Sequence, residues 1–233
     1  MTIEARRRFH DDLDQLCSDV VLLAGMAGES IQAGTAALLD SDLARAEAVV
    51  EHDIELDRLC HSIEQRCYAL MAQQQPMAGD LRTLVTTLRA IHELERIGDL
   101  MVKIAKATRR LFPHQLEPRV RGLFDRMRAQ ATAELRVAAD AFADRDPARS
   151  AALADMDDVM DDLQKELFRT IFSTGELDDR ILHMSVQVAL VGRFYERVAD
   201  HAVNFGERVR FMVTGEVPYS LDDLEGVGGA AQR

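Results

Sequence analysis

Apolar residues recur at every third and fourth position along most of the chain, and the strict alternation of a half-buried strand is absent. The clearest stripe reads Val188, Val191, Tyr195, Val198, Ala202, Phe205, Val209, Met212, which is the seam of a packed helix. Breakers divide the pattern into six helices. The first runs from about Phe9 to Leu39. Asp40-Ser41-Asp42 stops it and caps the second, which lasts to about Gln74, ahead of Gln75-Pro76. The third spans about Ala78 to Leu111 and ends before Pro113. Leu116-Glu117-Pro118 opens the fourth, which reaches about Ala143. Asp146-Pro147, an N-cap followed by proline at the first helical position, starts the fifth. Ser173-Thr174-Gly175 ends it, and the sixth runs from Glu176 to about Val213, where Thr214-Gly215 stops it. The Gly-rich polar remainder is expected to be a loosely held tail.

The pattern is also duplicated. DLARAEAVVEHDIELDRL from Asp42 lines up with DPARSAALADMDDVMDDL from Asp146, an offset of 104. ERIGD at Glu95–Asp99 recurs as ERVAD at Glu196–Asp200, an offset of 101. Helices one to three therefore correspond to helices four to six. The expected fold is all-α, two tandem pseudo-symmetric antiparallel three-helix bundles. The first repeat covers residues 1–113 and the second 114–215, with a flexible tail over 216–233. Helices of this length predict an elongated molecule.

Composition agrees with an all-α chain: 47% hydrophobic, 5% aromatic, no Trp and five Pro in 233 residues. A net charge of −12 disfavours nucleic acid and favours cationic partners or metal. Cys17, Cys60 and Cys67 have no CxxC spacing, and the last two lie two helical turns apart, beyond disulfide reach. They read as buried reduced thiols of a cytosolic protein. The N-terminus MTIEARRRF leads into no apolar signal segment, and no uninterrupted apolar run reaches 18 residues, so no membrane span is expected.

The chemistry lies in carboxylates four residues apart, which point the same way from a helix. Asp53 falls on the apolar line between Val49 and Leu56, with Asp57 one turn on; Glu95 falls on the seam of helix three, with Asp99 beyond. In the second half Asp157 with Asp161 faces Glu196 with Asp200, and Asn204 continues that line. Two such pairs on neighbouring helices converge four like charges, which require a cation. Oxygen donors suit hard or borderline ions such as Mg, Ca, Mn or Fe. Arg96 or Arg197 is the competing cation, giving a buried ion-pair network that sets helix register. A ferritin-like di-iron centre needs Glu three residues before His. The residues at that spacing are Arg7, Val49, Arg58, Arg89, Leu111, Arg180 and Val198, so that enzymatic reading loses its support. His92 and His201 read as solvated helix histidines in preference to partners of the acids.

These strings together resemble the PhoU family of phosphate-transport accessory and phosphate-signalling proteins. The likeness rests on QPMAGDLR (Gln75–Arg82), ERIGD, ERVADHAVNFGE (Glu196–Glu207), FMVTGE (Phe211–Glu216) and the duplicated Asp-x-x-x-Asp, in order and spacing. It implies two three-helix bundles and a non-enzymatic cytoplasmic adaptor, often a homodimer. It implies partners too: the ATPase of the high-affinity phosphate ABC transporter and the PAS region of a sensor histidine kinase. The adaptor would keep the starvation response off and restrain phosphate uptake. A metal-dependent helical-bundle enzyme and an accessory of a low-affinity phosphate transporter are the alternatives. Some family members bind Fe or other metals (Mn, Mg or Zn) through E(D)xxxD motifs. Carried over, the ligands would be Asp157, Asp161, Glu196, Asp200 and Asn204 in the second repeat and Asp53, Asp57, Glu95 and Asp99 in the first. The second repeat matches the family through His201, Asn204 and Glu207. The first departs from it, with Leu100, Lys103 and Lys106 at those places, and a lysine there would fill the acidic site or repel a metal.

Overall fold

The computed structural model describes residues 3–73, 76–172 and 179–216 of the chain. These form six helices: α1 (Ile3–Asp40), α2 (Leu43–Gln73), α3 (Ala78–Leu111), α4 (Pro118–Asp144), α5 (Pro147–Phe172) and α6 (Asp179–Thr214). No strand occurs among the described residues. At 26 to 38 residues they are about 40–57 Å long at 1.5 Å per residue. The main difference from the sequence reading is α1, which starts at Ile3 rather than near Phe9. The predicted junction at Ser173-Thr174-Gly175 and the tail beyond Glu216 lie outside the described residues.

The turns between the first two helices of each repeat are built alike. Ser41 and Arg145 both adopt positive φ, at 54° and 53°. That conformation ends the preceding helix, and the next N–H folds back: Asp42 N–H to Ala37 O and Asp146 N–H to Ala141 O, both 2.9 Å. The aspartates then cap the following helix. The Asp42 carboxylate accepts the Arg45 N–H at 3.0 Å, and that of Asp146 accepts the Ala148 N–H at 2.9 Å. One turn design, used twice, sets the antiparallel reversal in each repeat.

Within each repeat all three helices contact one another, while across the repeats α1 packs on α4 and α3 on α6. The result is a central four-helix assembly, with α2 and α5 each flanking its own repeat. One apolar core runs through all six helices. The centre of α1 is long and apolar enough to qualify as a membrane span by composition. Its stripe of Leu16, Val20, Leu23, Ala27 and Ile31 is instead buried in this core. Cys60 and Cys67 are buried free thiols, and Cys17 is a half-buried free thiol.

Some polar side chains in the central assembly are paired across the repeats. Tyr195 of α6 is fully buried, its hydroxyl 2.6 Å from that of Thr35 on α1, and its ring lies 5.8 Å from Phe124. Truncating Tyr195 to Ala should lower unfolding free energy by about 3–5 kcal/mol. Tyr195→Phe, which loses only the hydroxyl, should cost about 1 kcal/mol. Urea unfolding followed by circular dichroism separates the two; equal losses would mean that the ring contributes nothing.

Candidate functional site

The acid pairs do not lie in the central assembly. They occupy the two outer grooves, α2 against α3 and α5 against α6, where the flanking helix meets its own repeat.

In the first groove Asp53 is half-buried against α3. A Cβ built on Gly98 would stand 2.5 Å from Asp53 Oδ1, so the glycine of ERIGD is what admits that oxygen. The same oxygen is buried without a hydrogen-bond partner. Burial, then the charges of Asp57, Asp99 and Glu95, push the Asp53 carboxyl up to about 6. Asp57 is exposed and also shifted up, by burial and then by Glu95 and Asp99. Glu95 is not on the buried seam of α3 as the sequence spacing predicts. Its side chain keeps 40% exposure, and it lies 3.4 Å from His92. The seam position belongs to Glu93, two residues earlier. Arg96 binds Asp99 at 3.0 Å, which realises the arginine alternative for one acid of this repeat. Lys103 and Lys106 are exposed, and no ion pair joins them to these acids among the described residues.

The second groove buries one of its glutamates. Glu196 keeps 12% side-chain exposure and has one buried oxygen without a partner. Burial is the largest cause of the upward shifts of Asp157, Glu196 and Asp200. The neighbouring acids add to it: Asp200, Asp161 and Asp158 at Asp157, Asp200 and Asp161 at Glu196, and Asp161 at Asp200. Arg197 is exposed; the cation on Glu196 is Arg193, and Lys165 lies 3.8 Å from Asp161. Asn204 is half-buried on the same line. Glu207, farther along, has a buried unpartnered oxygen and lines a cavity of about 570 Å³ beside the start of α5.

Two buried acids were not singled out by the sequence reading. Glu134 of α4 is 0% exposed. Its Oε1 accepts from the Gln130 amide at 2.8 Å, the same amide donates to Met156 O at 2.7 Å, and Oε2 has no partner. Burial pushes Glu134 up to about 7, with Asp157 and Asp200 adding to the shift. The available signal was an acid on the line Met127, Ala131, Glu134, Ala138. Glu93 of α3 is the second. His201 of α6 lies 2.8 Å from its Oε2 and Arg208 lies 3.5 Å from its Oε1. Burial pushes Glu93 up, but the His201 hydrogen bond and charge and the Arg208 guanidinium outweigh it and hold the carboxyl below its ordinary value. His201 is therefore neither a solvated histidine nor turned toward the acids of its own repeat. It ties the two repeats together.

With the side chains as they stand, no three His, Cys, Asp or Glu groups among the described residues converge on one point. The donor chemistry is nonetheless that of a hard cation: oxygen ligands, half-buried, with orphaned buried oxygens on Asp53, Glu134 and Glu196.

Residues 20–108 and 124–209 each match the PhoU domain, one match per repeat. This chain belongs to the PhoU family. Among its relatives is the phosphate-specific transport system accessory protein PhoU homolog 1 of Mycobacterium tuberculosis, 38% identical over 217 residues, covering 91% of this chain and 96% of that one. Homolog 2 of the same organism is 36% identical, covering 91% and 100%. The crystal structure of PhoU from Pseudomonas aeruginosa superposes with a TM-score of 0.83 at 27% identity, covering 89% of this chain and all of that one. That of the phosphate transport system regulatory protein PhoU from Streptococcus pneumoniae gives 0.81 at 26% identity, covering 91% and all. The family is one of accessory and regulatory proteins, not enzymes, and the chain is a phosphate-transport-associated regulator of that kind.

Glu134 and Glu93 should respond oppositely to pH. The folded-state pKa of Glu134 is raised above 4.5 to about 7, so its favourable neutral form is present below 4.5 and lost as pH rises through 7. In chelator, Glu134→Gln should therefore exceed wild-type stability by up to about 3 kcal/mol near pH 8. Near pH 4 the two should match. The Glu93 pKa is lowered, so its contribution is present above 4.5 and lost as pH falls through the folded value. Glu93→Gln should cost about 3 kcal/mol near pH 7, and less in acid. Denaturant titrations at several pH values check both signs; parallel pH profiles would contradict them.

Proposed function

We propose that this PhoU-family chain is a cytoplasmic adaptor in phosphate homeostasis. It contacts the ATPase of the high-affinity phosphate ABC transporter and the PAS region of a sensor histidine kinase. Through them it restrains phosphate uptake and keeps the starvation response off. The observation that carries this reading is the pairing of family membership with two acidic grooves on the outer flanks of one shared core. The first groove opens to the surface along Asp57, His61, His92 and Glu95. A homodimer would present four such grooves.

The grooves also suit a metal, with Mn, Mg or Fe best matched to their oxygens. Asp157, Asp161, Glu196, Asp200 and Asn204 would hold it in the second repeat, and Asp53, Asp57, Glu95 and Asp99 in the first. A bound cation would neutralise the groove, draw its carboxylates together and so change the surface a partner meets. The second groove is the stronger candidate because Glu196 keeps 12% exposure where Glu95 keeps 40%, and because Asn204 and Glu207 stand where the first repeat has Lys103 and Lys106.

The purified chain should bind the transporter ATPase or the PAS region saturably in biolayer interferometry. Glu196→Ala with Asp200→Ala should weaken that binding at least tenfold while helical circular dichroism is retained. Unaltered binding by a folded double variant would leave these acids no part in signalling. No binding of wild type to either bait, with or without Mn, would move the search to a low-affinity phosphate permease.

A further inference from the structure

We infer that the cavity between the start of α5 and the end of α6 binds an alkyl chain ending in a cationic nitrogen, the chemistry shared by lysine and arginine side chains and by polyamines. No metal at the paired acids is needed for it. The cavity has a volume of about 570 Å³, and Ala148, Ala151, Ala154 and Val203 form its apolar walls. Gly206 lets α6 pass close to α5 beside it, since a Cβ there would collide with Leu153.

One polar group of the lining is unsatisfied. Glu207 is half-buried, and its Oε2 is buried with no hydrogen-bond partner. The other polar side chains of the lining are bonded within the chain. Arg210 donates twice to Glu216, from Nε at 3.2 Å and from Nη2 at 2.7 Å. The Thr214 hydroxyl donates to Arg210 O at 2.9 Å and accepts the Glu216 N–H at 3.0 Å. Ser150 donates to Pro147 O at 2.8 Å. Arg208, next to Glu207 in the chain, faces Glu93 across the repeats.

A carboxylate oxygen only accepts, so the cavity lacks a donor. A cationic donor answers best, because charge-assisted hydrogen bonds are about twice as strong as neutral ones. The alanine and valine walls give the stem of such a ligand an apolar surface to lie on. A hard metal ion needs several oxygen ligands at once, and no three His, Cys, Asp or Glu groups converge among the described residues, whereas an organic cation is satisfied by one carboxylate. The repeat supplies the internal control. By the offsets of 104 and 101, Ala151 corresponds to Glu47, Gly206 to Ala105 and Glu207 to Lys106. The first repeat thus has a charge on the wall and a cation in place of the acceptor, and it does not offer the same site.

The test is titration of the full chain, with isotope-labelled alanine methyls, followed by nuclear magnetic resonance. The probes are n-butylguanidinium, n-butylammonium, spermidine and a capped Ala-Arg-Ala tripeptide, with n-butanol as the neutral control. The cationic probes should give saturable shifts at Ala148, Ala151 and Ala154, and n-butanol should bind far more weakly. Glu207→Gln should weaken binding roughly tenfold, and Glu207→Lys, which carries the residue of the first repeat, should abolish it. Chelator should leave binding unchanged, which separates this site from the metal reading. Each variant is checked for folding by circular dichroism. Should the Glu207 variants not fold, Ala151→Leu, at an exposed position, fills the cavity and should weaken binding in their place. Tighter binding of the tripeptide than of spermidine assigns the site to a side chain of a protein segment, and the reverse order to a free polyamine. Wild-type affinity in folded Glu207→Gln, or n-butanol binding as tightly as n-butylammonium, would overturn the inference. So would the absence of shifts at these alanines with every probe at tens of millimolar.

Discussion

All six helices bury one apolar core between them, and any carboxylate carried into that environment must be paired, protonated or bound to a cation. Most of the polar organisation follows from this constraint. Glu93 is satisfied from the other repeat by His201 and Arg208. Asp99 and Glu196 take arginines three residues away on their own helices. Glu134 takes nothing that the protein supplies to its second oxygen. The outer grooves collect acids, and at Asp53, Asp57, Asp157, Glu196 and Asp200 burial, with neighbouring carboxylates, raises the pKa.

The two repeats share a scaffold and differ in chemistry. The turns after α1 and α4 repeat the same left-handed residue and the same aspartate cap. The sites do not repeat. Gly98 lets Asp53 press against α3, where the second half has Ala199. Glu134 is buried on α4, where the first repeat has Ser30. The inter-repeat tie is one-sided as well. By the offset of 101, Glu93 and His201 correspond to Phe194 and Leu100, so the symmetry mate of a charged pair is an apolar one. Duplication set the fold, and divergence at these few positions gave each half its own electrostatics.

The helices, their turns and the repeat were legible because they depend on local signals: 3.6-residue periodicity, aspartate caps and prolines. The acid pairs were legible as pairs, since residues four apart share a helix face whatever the tertiary structure. Which acid is buried was not legible. Glu93 and Glu95 are two residues apart on α3, and only the position of α6 makes the first buried and leaves the second half-exposed. His201 looked like an outward histidine because its partner is 108 residues away. Glu134 was hidden in a helix read only for its ends, although an acid on the line Met127, Ala131, Ala138 was itself the signal. The family likeness, carried by strings spread along the whole chain, was legible for the same reason as the repeat.

The central claim is the proposed one, that the paired acids of the outer grooves take a cation, the second groove more tightly than the first. Anomalous diffraction from crystals of the full chain grown with Mn²⁺ tests it directly. The account predicts a strong peak beside Asp157, Glu196 and Asp200, and a weaker peak or none beside Asp53. A map with its strongest peak in the first groove, or with no peak in either, would contradict it.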